Sequence, residues 1–420
     1  MTSASRCSSD ESAAPEAPAA RSRARRPLGV VLLVAAVAML AVNLRPGATS
    51  VGPVMEDVVG AFGQGAVASG LLTALPPLAF GALGLLAVPV SRRLGLTGAI
   101  LASFVIVGAG LLLRPLTGSF SLFVALSVLA LLGPALGNVL LPAWIKVHGG
   151  TRTVGLMTLY TVVLAIGGSA GSALAVPLEG AGSDGWRVSL QFWGLVVAVP
   201  VVLWALVWRR TGHDFPPAGP RGTLHGSLLR SPTAIALTVM FALQSLNAYT
   251  QFGMLPQILT ENGVSAARAG LLVAVIAGSG LVGGLVMPTV IARARRGLSW
   301  IVGSFGLLTT IGYLGLLLLP EVDPLVWAIV LGIGGFAFPT VIALLPARTR
   351  SPLVTARLSG AVQPVGYLLA ALGPIAAGAL LGATGSSAAV LWFLAVTGVL
   401  LAVAGVRAGR PRLVDDEIAA

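Results

Sequence analysis

Charge is what this chain has least of. Only 10% of its 420 residues are Asp, Glu, Lys or Arg, against about 25% in soluble globular proteins. So few charges cannot coat a water-facing surface on a chain this long, which excludes a soluble enzyme. Cysteine is almost missing too. Cys7 alone rules out an internal disulfide framework and any cysteine-based metal cluster. Three histidines (His148, His213 and His225) leave little material for a metal site, and nothing points to a cofactor. What is present is apolar and small: 56% hydrophobic residues and 54 glycines, a composition suited to closely packed transmembrane helices.

The charges that do occur mark breaks between apolar runs. Cutting there leaves twelve segments long enough to cross a hydrocarbon core of ~30 Å, which needs about 20 helical residues. They are 28–55, 68–90, 98–114, 119–145, 153–177, 188–208, 232–259, 268–291, 299–319, 325–346, 358–382 and 387–406. The third is short for a crossing and is expected to extend a little at both ends. Residues 1–27 have nothing to bury and read as a disordered tail. The polar stretch 209–231 separates a bundle at 28–208 from one at 232–408, and 409–420 forms a second tail. The first apolar run continues past Asn43 and Arg45 without a cleavage site, so it reads as a retained span rather than a signal peptide.

The net charge of +12 invites a nucleic-acid reading, but its distribution gives another reason for it. Alternate loops fall on opposite sides. Arg114, Arg187 and Arg268 alone lie on the side away from the termini, and Arg45 lies within a span. The other 22 of the 26 basic residues collect on the side of the termini. Basic loops are cytoplasmic in membrane proteins, so both termini are expected in the cytoplasm and nucleic acid is not a partner. Trp144, Trp208 and Trp300 near cytoplasmic span ends and Trp186 near an external one read as interface anchors. Lys146, the chain's one lysine, reads as a topology anchor.

The two halves resemble each other. Ala68-Ser69-Gly70-Leu71-Leu72-Thr73-Ala74 opens the second span, and Arg268-Ala269-Gly270-Leu271-Leu272-Val273-Ala274 opens the eighth. Pro89 and Pro288 follow near the end of each, then the basic turns Arg92-Arg93-Leu94-Gly95 and Arg295-Arg296-Gly297-Leu298. Two six-span repeats related by an axis along the membrane normal are the plan of the major facilitator fold, an all-α architecture with its substrate site at the repeat interface near mid-depth.

More specific motifs stand on this plan. Asn43-Leu44-Arg45-Pro46 with Thr49-Ser50-Val51-Gly52-Pro53, then Leu71-Leu72-Thr73-Ala74-Leu75-Pro76, occupy the first two spans. Leu136-Gly137-Asn138-Val139-Leu140-Leu141-Pro142, Ile145-Lys146, Val154-Gly155-Leu156-Met157-Thr158 and Tyr160 follow. Leu358-Ser359-Gly360, Gln363 and Val365-Gly366-Tyr367-Leu368-Leu369-Ala370 come late. Over roughly 28–408 the chain resembles the cyanate and nitroimidazole transporter family of the major facilitator superfamily. The likeness implies alternating access and a small, often anionic or planar polar substrate. It departs from the wider superfamily after the second span, where a Gly-x-x-x-Asp-Arg-x-Gly pattern would place Val88 at the first glycine and Arg92 at the aspartate; the gating role of that motif is not carried over.

The residues themselves single out Arg45, the sole charge well inside a span. It lies eleven residues before Glu56, about 16 Å below the outer boundary at 1.5 Å per residue. An arginine at that depth costs at least about 2.5–3.5 kcal/mol on insertion scales and usually faces a cavity or partner. No span supplies an acid. A guanidinium fork suits a linear or carboxylate-like anion, so the substrate is the preferred partner; snorkelling, or bonding to carbonyls freed by Pro46, is the other reading. Thr49, one turn on, could add a donor or bond back to its own helix, and Asn43 neighbours both. Gln244, Asn247 and Gln251 recur at helical spacing on one face of the seventh span. Three amides cannot face lipid, which leaves cavity lining or helix–helix bonding. Gln363 and Tyr367 form a second polar face, and Asn138 and Tyr160 carry the same two readings. Pro46, Pro53, Pro76, Pro77, Pro339 and Pro374 are expected to kink their spans, and Gly133-x-x-x-Gly137 and Gly167-x-x-x-Gly171 to allow close helix approach.

The function expected is transport of a small polar or anionic solute across the cell membrane, in the import direction, by a monomer in the lipid bilayer. Moving one negative charge into a negative-inside cell costs about 2.3 kcal/mol per 100 mV, so uptake of an anion needs a steep gradient, a co-transported proton or an exchanged counter-anion, while a neutral substrate needs none of these; the residues leave the coupling open. Proton-coupled export of a drug-like compound is the alternative, disfavoured by the missing intramembrane carboxylate. A non-transporting sensor on the same scaffold ranks lower.

Overall fold

The computed structural model describes residues 29–180, 184–215, 227–294, 297–350 and 352–419. The N-terminal tail with Arg6 and Arg21–Arg26, the linker residues Pro216, Pro217, Pro220 and Arg221, and the basic pair Arg295-Arg296 lie outside them. Among the described residues every regular element is helical.

Ten stretches are long and apolar enough to cross a membrane. One of them, Ala66–Leu116, is two helices folded back on each other at Gly95, whose φ of 78° only glycine adopts freely. The 30-residue helix Pro232–Glu261 is not among the ten, because Gln244, Asn247, Thr250 and Gln251 make it less apolar. Counted this way the described residues hold twelve spanning helices: α1 (Val30–Ala61), α2 (66–94), α3 (96–113), α4 (Phe120–His148), α5 (Thr153–Leu174), α6 (Gly185–Thr211), α7 (Pro232–Glu261), α8 (Ala266–Arg293), α9 (Ser299–Leu318), α10 (Pro324–Ala347), α11 (352–384) and α12 (Ser387–Ala408). A short α13 (Val414–Ala419) follows.

Several spans pause just before a proline. α6 breaks at Val197 ahead of Pro200, α10 at Gly335-Phe336 ahead of Pro339, and α11 at Ala371 ahead of Pro374. The missing N–H and the ring's clash with the carbonyl four residues earlier account for the position of each break. Pro76 and Pro77 sit inside a helix that continues past them without a break.

Buried side chains gather in four clusters. In each half one lies toward the side of the termini and one toward the far side. The halves meet through small residues on the far side, and the internal repeat explains where. A Cβ at Gly70 of α2 would lie 2.6 Å from the Pro374 carbonyl oxygen of α11, and one at Gly270 of α8 would lie 2.8 Å from that of Ser172 in α5. These repeat-equivalent glycines therefore seat pseudo-equivalent helix pairs. Gly52 of α1 is tighter still, its Cβ position only 1.9 Å from the Phe252 carbonyl oxygen in α7. At these three points the helices meet backbone to backbone.

On the side of the termini, polar segments fold back onto the helices. Asp214 is 6% exposed. It accepts from the Thr97 backbone N–H at 3.0 Å and from the Thr97 hydroxyl at the start of α3, and lies 3.4 Å from His148 Nε2. Trp144 Nε1 donates to the same hydroxyl at 2.7 Å. A Cβ at Gly95 would meet Asp214 Oδ1 at 2.7 Å, a second reason for glycine there. From α13, Glu417 accepts from the Ser231 hydroxyl, the Thr233 N–H and the Thr233 hydroxyl at the start of α7. Trp208 and Trp300 are exposed as interface anchors would be, whereas Trp144 and Trp186 are fully buried: their rings pack on Trp204 and on Phe62 and Phe123, which corrects the anchoring reading for those two.

Candidate functional site

Arg45 sits near the middle of the 32-residue α1, where the helix breaks before Pro46. The break exists because Pro46 cannot donate, and the Arg45 carbonyl starts the next turn by accepting from Ala48 N at 3.0 Å and Thr49 N at 3.1 Å. Behind it, α5 comes close through two glycines. Cβ atoms at Gly167 and Gly171 would lie 2.2 Å from the Val42 carbonyl oxygen and 2.9 Å from Pro46 Cα. The first carbons of the Arg45 side chain pass Gly168 of α5, whose Cβ position lies 3.6 Å from Arg45 Cβ, and Arg45 lines a cavity between α1, α2, α4 and α7.

That cavity has a volume of about 40 Å³, room for a few water molecules. No carboxylate is among its lining residues. Tyr249 lines the same cavity within hydrogen-bonding reach of the Arg45 guanidinium, and Tyr367 and Tyr160 lie near it. Tyr249 and Tyr367 belong to an aromatic group at the seam of the two halves. The Phe80–Tyr367 centroids are 5.5 Å apart, Phe80–Tyr249 6.1 Å and Tyr249–Tyr367 6.2 Å, all edge to face. Tyr249 comes from α7 yet is buried among residues of the first half. A fixed cation flanked by phenol donors and aromatic edges can hold a small planar or linear anion.

The other expected site residues divide. Thr49 lines the same cavity but donates its hydroxyl back to the Arg45 carbonyl at 3.3 Å. Asn43 is buried and donates to the Met39 carbonyl of its own helix at 2.8 Å. Tyr160 donates to Asn138 Oδ1 at 3.4 Å, which joins α5 to α4 beside Arg45. Gln363 is half-buried on α11, one turn from Tyr367. The cavity reading of the α7 stripe is corrected at two positions. Asn247 accepts from the Thr397 hydroxyl of α12 at 3.3 Å, and Gln251 donates to the Tyr313 hydroxyl of α9 at 2.8 Å. Both amides turn into the second bundle because partners there satisfy them without water. Gln244 is buried with its side-chain carbonyl oxygen unpartnered.

Sequence reasoning missed two members. Tyr249 lies on the opposite face of α7 from the amides, and its scarcity was the available signal, since the chain has only four tyrosines. Arg114 was counted with the far-side loops, but the structure turns it inward: it is 1% exposed and lines the same cavity as Arg45. Arg45 is therefore not the only cation inside the bundle. The signal for Arg114 was its position directly after an apolar run, with Pro115 ending the helix; spacing alone could not give its direction.

The sequence model of the Major Facilitator Superfamily matches residues 31–374. The chain belongs to that superfamily. Within it, the 2-nitroimidazole transporter of Escherichia coli (strain K12) is 32% identical over 386 residues, 91% of this chain and 96% of that one. The cyanate transport protein CynX of the same organism is 27% identical over 349 residues, 83% and 89% of the two chains. Among solved structures, a bacterial homologue of the human lysosomal transporter Spinster, inward-facing and unoccupied, matches with a TM-score of 0.71 at 17% identity, covering 93% of this chain and 97% of that one. A D-xylose-proton symporter matches at 0.69 and 16%, covering 89% and 96%. These two show the fold. As a member of the major facilitator superfamily, the protein is a multi-pass membrane transporter and not an enzyme.

Proposed function

We propose that this major facilitator protein imports a small anionic or planar polar solute across the cell membrane by alternating access, with Arg45 as its central ligand. The reading rests on one observation: a guanidinium at mid-depth lines a cavity with no lining carboxylate, with the Tyr249 phenol beside it. A buried cation without an acid is costly, and an anionic solute offsets that cost when bound. Tyr249 and Tyr367 supply hydroxyls and edges for a planar guest, and Tyr160 with Asn138 bounds the site from α5 and α4. The relatives named for nitroimidazole and cyanate suit the same chemistry, as does a small carboxylate.

Both termini face the cytoplasm in this reading, because the basic residues concentrate there, and the contacts of Gly52, Gly70 and Gly270 close the outer side. The protein works as a monomer. With no carboxylate lining the cavity among the described residues, the driving force is carried by an exchanged anion or by a proton riding on the solute. The test is uptake into reconstituted vesicles of cyanate, nitrate, formate and 2-nitroimidazole, with Arg45→Ala and Arg45→Lys alongside wild type. Loss of uptake in Arg45→Ala and a raised half-saturation in Arg45→Lys are expected. Wild-type uptake in both variants would overturn the role of Arg45.

A further inference from the structure

We propose that Arg114, with Thr73 and Ser127, forms a second anion-binding site in the far-side half of the cavity, separate from Arg45. Arg114 follows the last turn of α3 and is almost completely buried. Its Nη1 donates to the Gly47 carbonyl at 3.1 Å, and the Phe123 ring centroid lies 6.0 Å from Cζ. Its Nε and Nη2 have no partner. Those two nitrogens share one edge of the guanidinium, the edge that grips two coplanar oxygens side by side. The Thr73 and Ser127 hydroxyls line the same cavity and are buried without partners as well.

Four buried donor groups without partners, on three residues that line one cavity, are not explained by packing. A structural arginine that only tied α3 to Gly47 would leave most of its donors and its whole charge uncompensated, a strongly unfavourable burial. An anion with two coplanar acceptor oxygens, such as a carboxylate or nitrate, satisfies the Nε/Nη2 edge and leaves oxygen lone pairs for the two hydroxyls. Arg45 and Arg114 line one cavity, and Arg114 bonds a residue only two positions beyond Arg45. An anion entering from the far side would meet Arg114 first and Arg45 next. This staging role rests on the transport reading; the binding itself does not.

The test uses purified full-length protein in detergent carrying Arg45→Gln, which silences the central cation. Nitrate and formate are each titrated against chloride at constant ionic strength. The melting temperature and the tryptophan emission are followed, since Trp186 packs on Phe123 at 6.1 Å. Saturable binding is expected to persist in Arg45→Gln. Adding Thr73→Val with Ser127→Ala should raise half-saturation about tenfold, the scale of hydrogen bonds to an ion. Those hydroxyls hold no protein hydrogen bond, and a melting temperature equal to that of Arg45→Gln without anion checks that the fold is kept. Adding Arg114→Lys instead keeps the charge, loses the two-pronged edge and should weaken binding by a similar factor. An absent saturable response in Arg45→Gln, or an unchanged half-saturation when the hydroxyls are removed, would overturn the second site. Neither result bears on uptake by the Arg45 variants, so the two readings fail separately.

Discussion

In the proposed transport cycle, closing the far side depends on glycines that cannot grow a side chain, and Gly70→Ala tests this with one methyl group. The added Cβ would lie 2.6 Å from the Pro374 carbonyl oxygen and 2.9 Å from Gly378 Cα. Both are backbone atoms of α11, so no rotamer change relieves the overlap. Ordinary contact begins at 3.4 Å, so α2 and α11 must part by roughly 0.8 Å. Overpacking of this kind costs about 1–3 kcal/mol. If the proposed alternating access opens the far side by parting α2 from α11, that cost falls on the far-side-closed state alone. The equilibrium should then move toward the open state by roughly 5–150-fold. A reporter cysteine at Leu72, buried on the cavity wall, in a Cys7→Ser background would read this as faster labelling by an impermeant thiol reagent from the far side. Gly60→Ala, with nothing within 4 Å of its Cβ position, is the matched control. Labelling of Gly70→Ala at the control rate would refute the argument that this backbone contact forms the closed gate.

Three further outcomes follow from the same geometry. Gln251→Leu strands the buried Tyr313 hydroxyl and should lower stability by about 1–3 kcal/mol in thermal unfolding, while anion binding at the cavity is kept, because the amide faces α9; loss of binding without loss of stability would return Gln251 to the cavity wall. Asp214→Asn weakens charge-assisted bonds to Thr97 and should cost about 1.5–3 kcal/mol, read as a lower melting temperature. On the far side, the Leu325 N–H and Arg268 hold the Asp323 carboxyl below its ordinary value. A lowered folded-state value means that its contribution is present above the unfolded value of 3.8 and is lost as pH falls through the lower folded one. Asp323→Ala should therefore melt earlier than wild type at pH 7, with the gap vanishing in strong acid; a gap independent of pH would remove the electrostatic explanation.

The parts of this protein that depend on composition along the chain are legible in its residues alone. Apolar length sets the spans, charge breaks set the turns, and one arginine between apolar neighbours marks the mid-depth cation. The repeat is legible too, and it explains why Gly70 and Gly270 do the same job in the two halves. Direction is not. Three amides at helical spacing must face something polar, but whether that is a cavity or another helix depends on where Thr397 and Tyr313 stand, at 150 and 62 residues' distance in the chain. Proline breaks are legible in kind, while Pro76 and Pro77 show that neighbouring helices can keep such a segment continuous.

Sequence alone thus determined a twelve-span membrane protein with an arginine where a bilayer tolerates none without a partner, because insertion energy is a property of local composition. Only the tertiary structure decided that Arg114 turns inward, that Tyr249 crosses the seam to stand by Arg45, and that Asp214 returns to cap α3 at a distance of 117 residues. Those outcomes depend on which surfaces meet after the helices are formed. Burial, unlike hydropathy, belongs to the pair of surfaces and not to the residue.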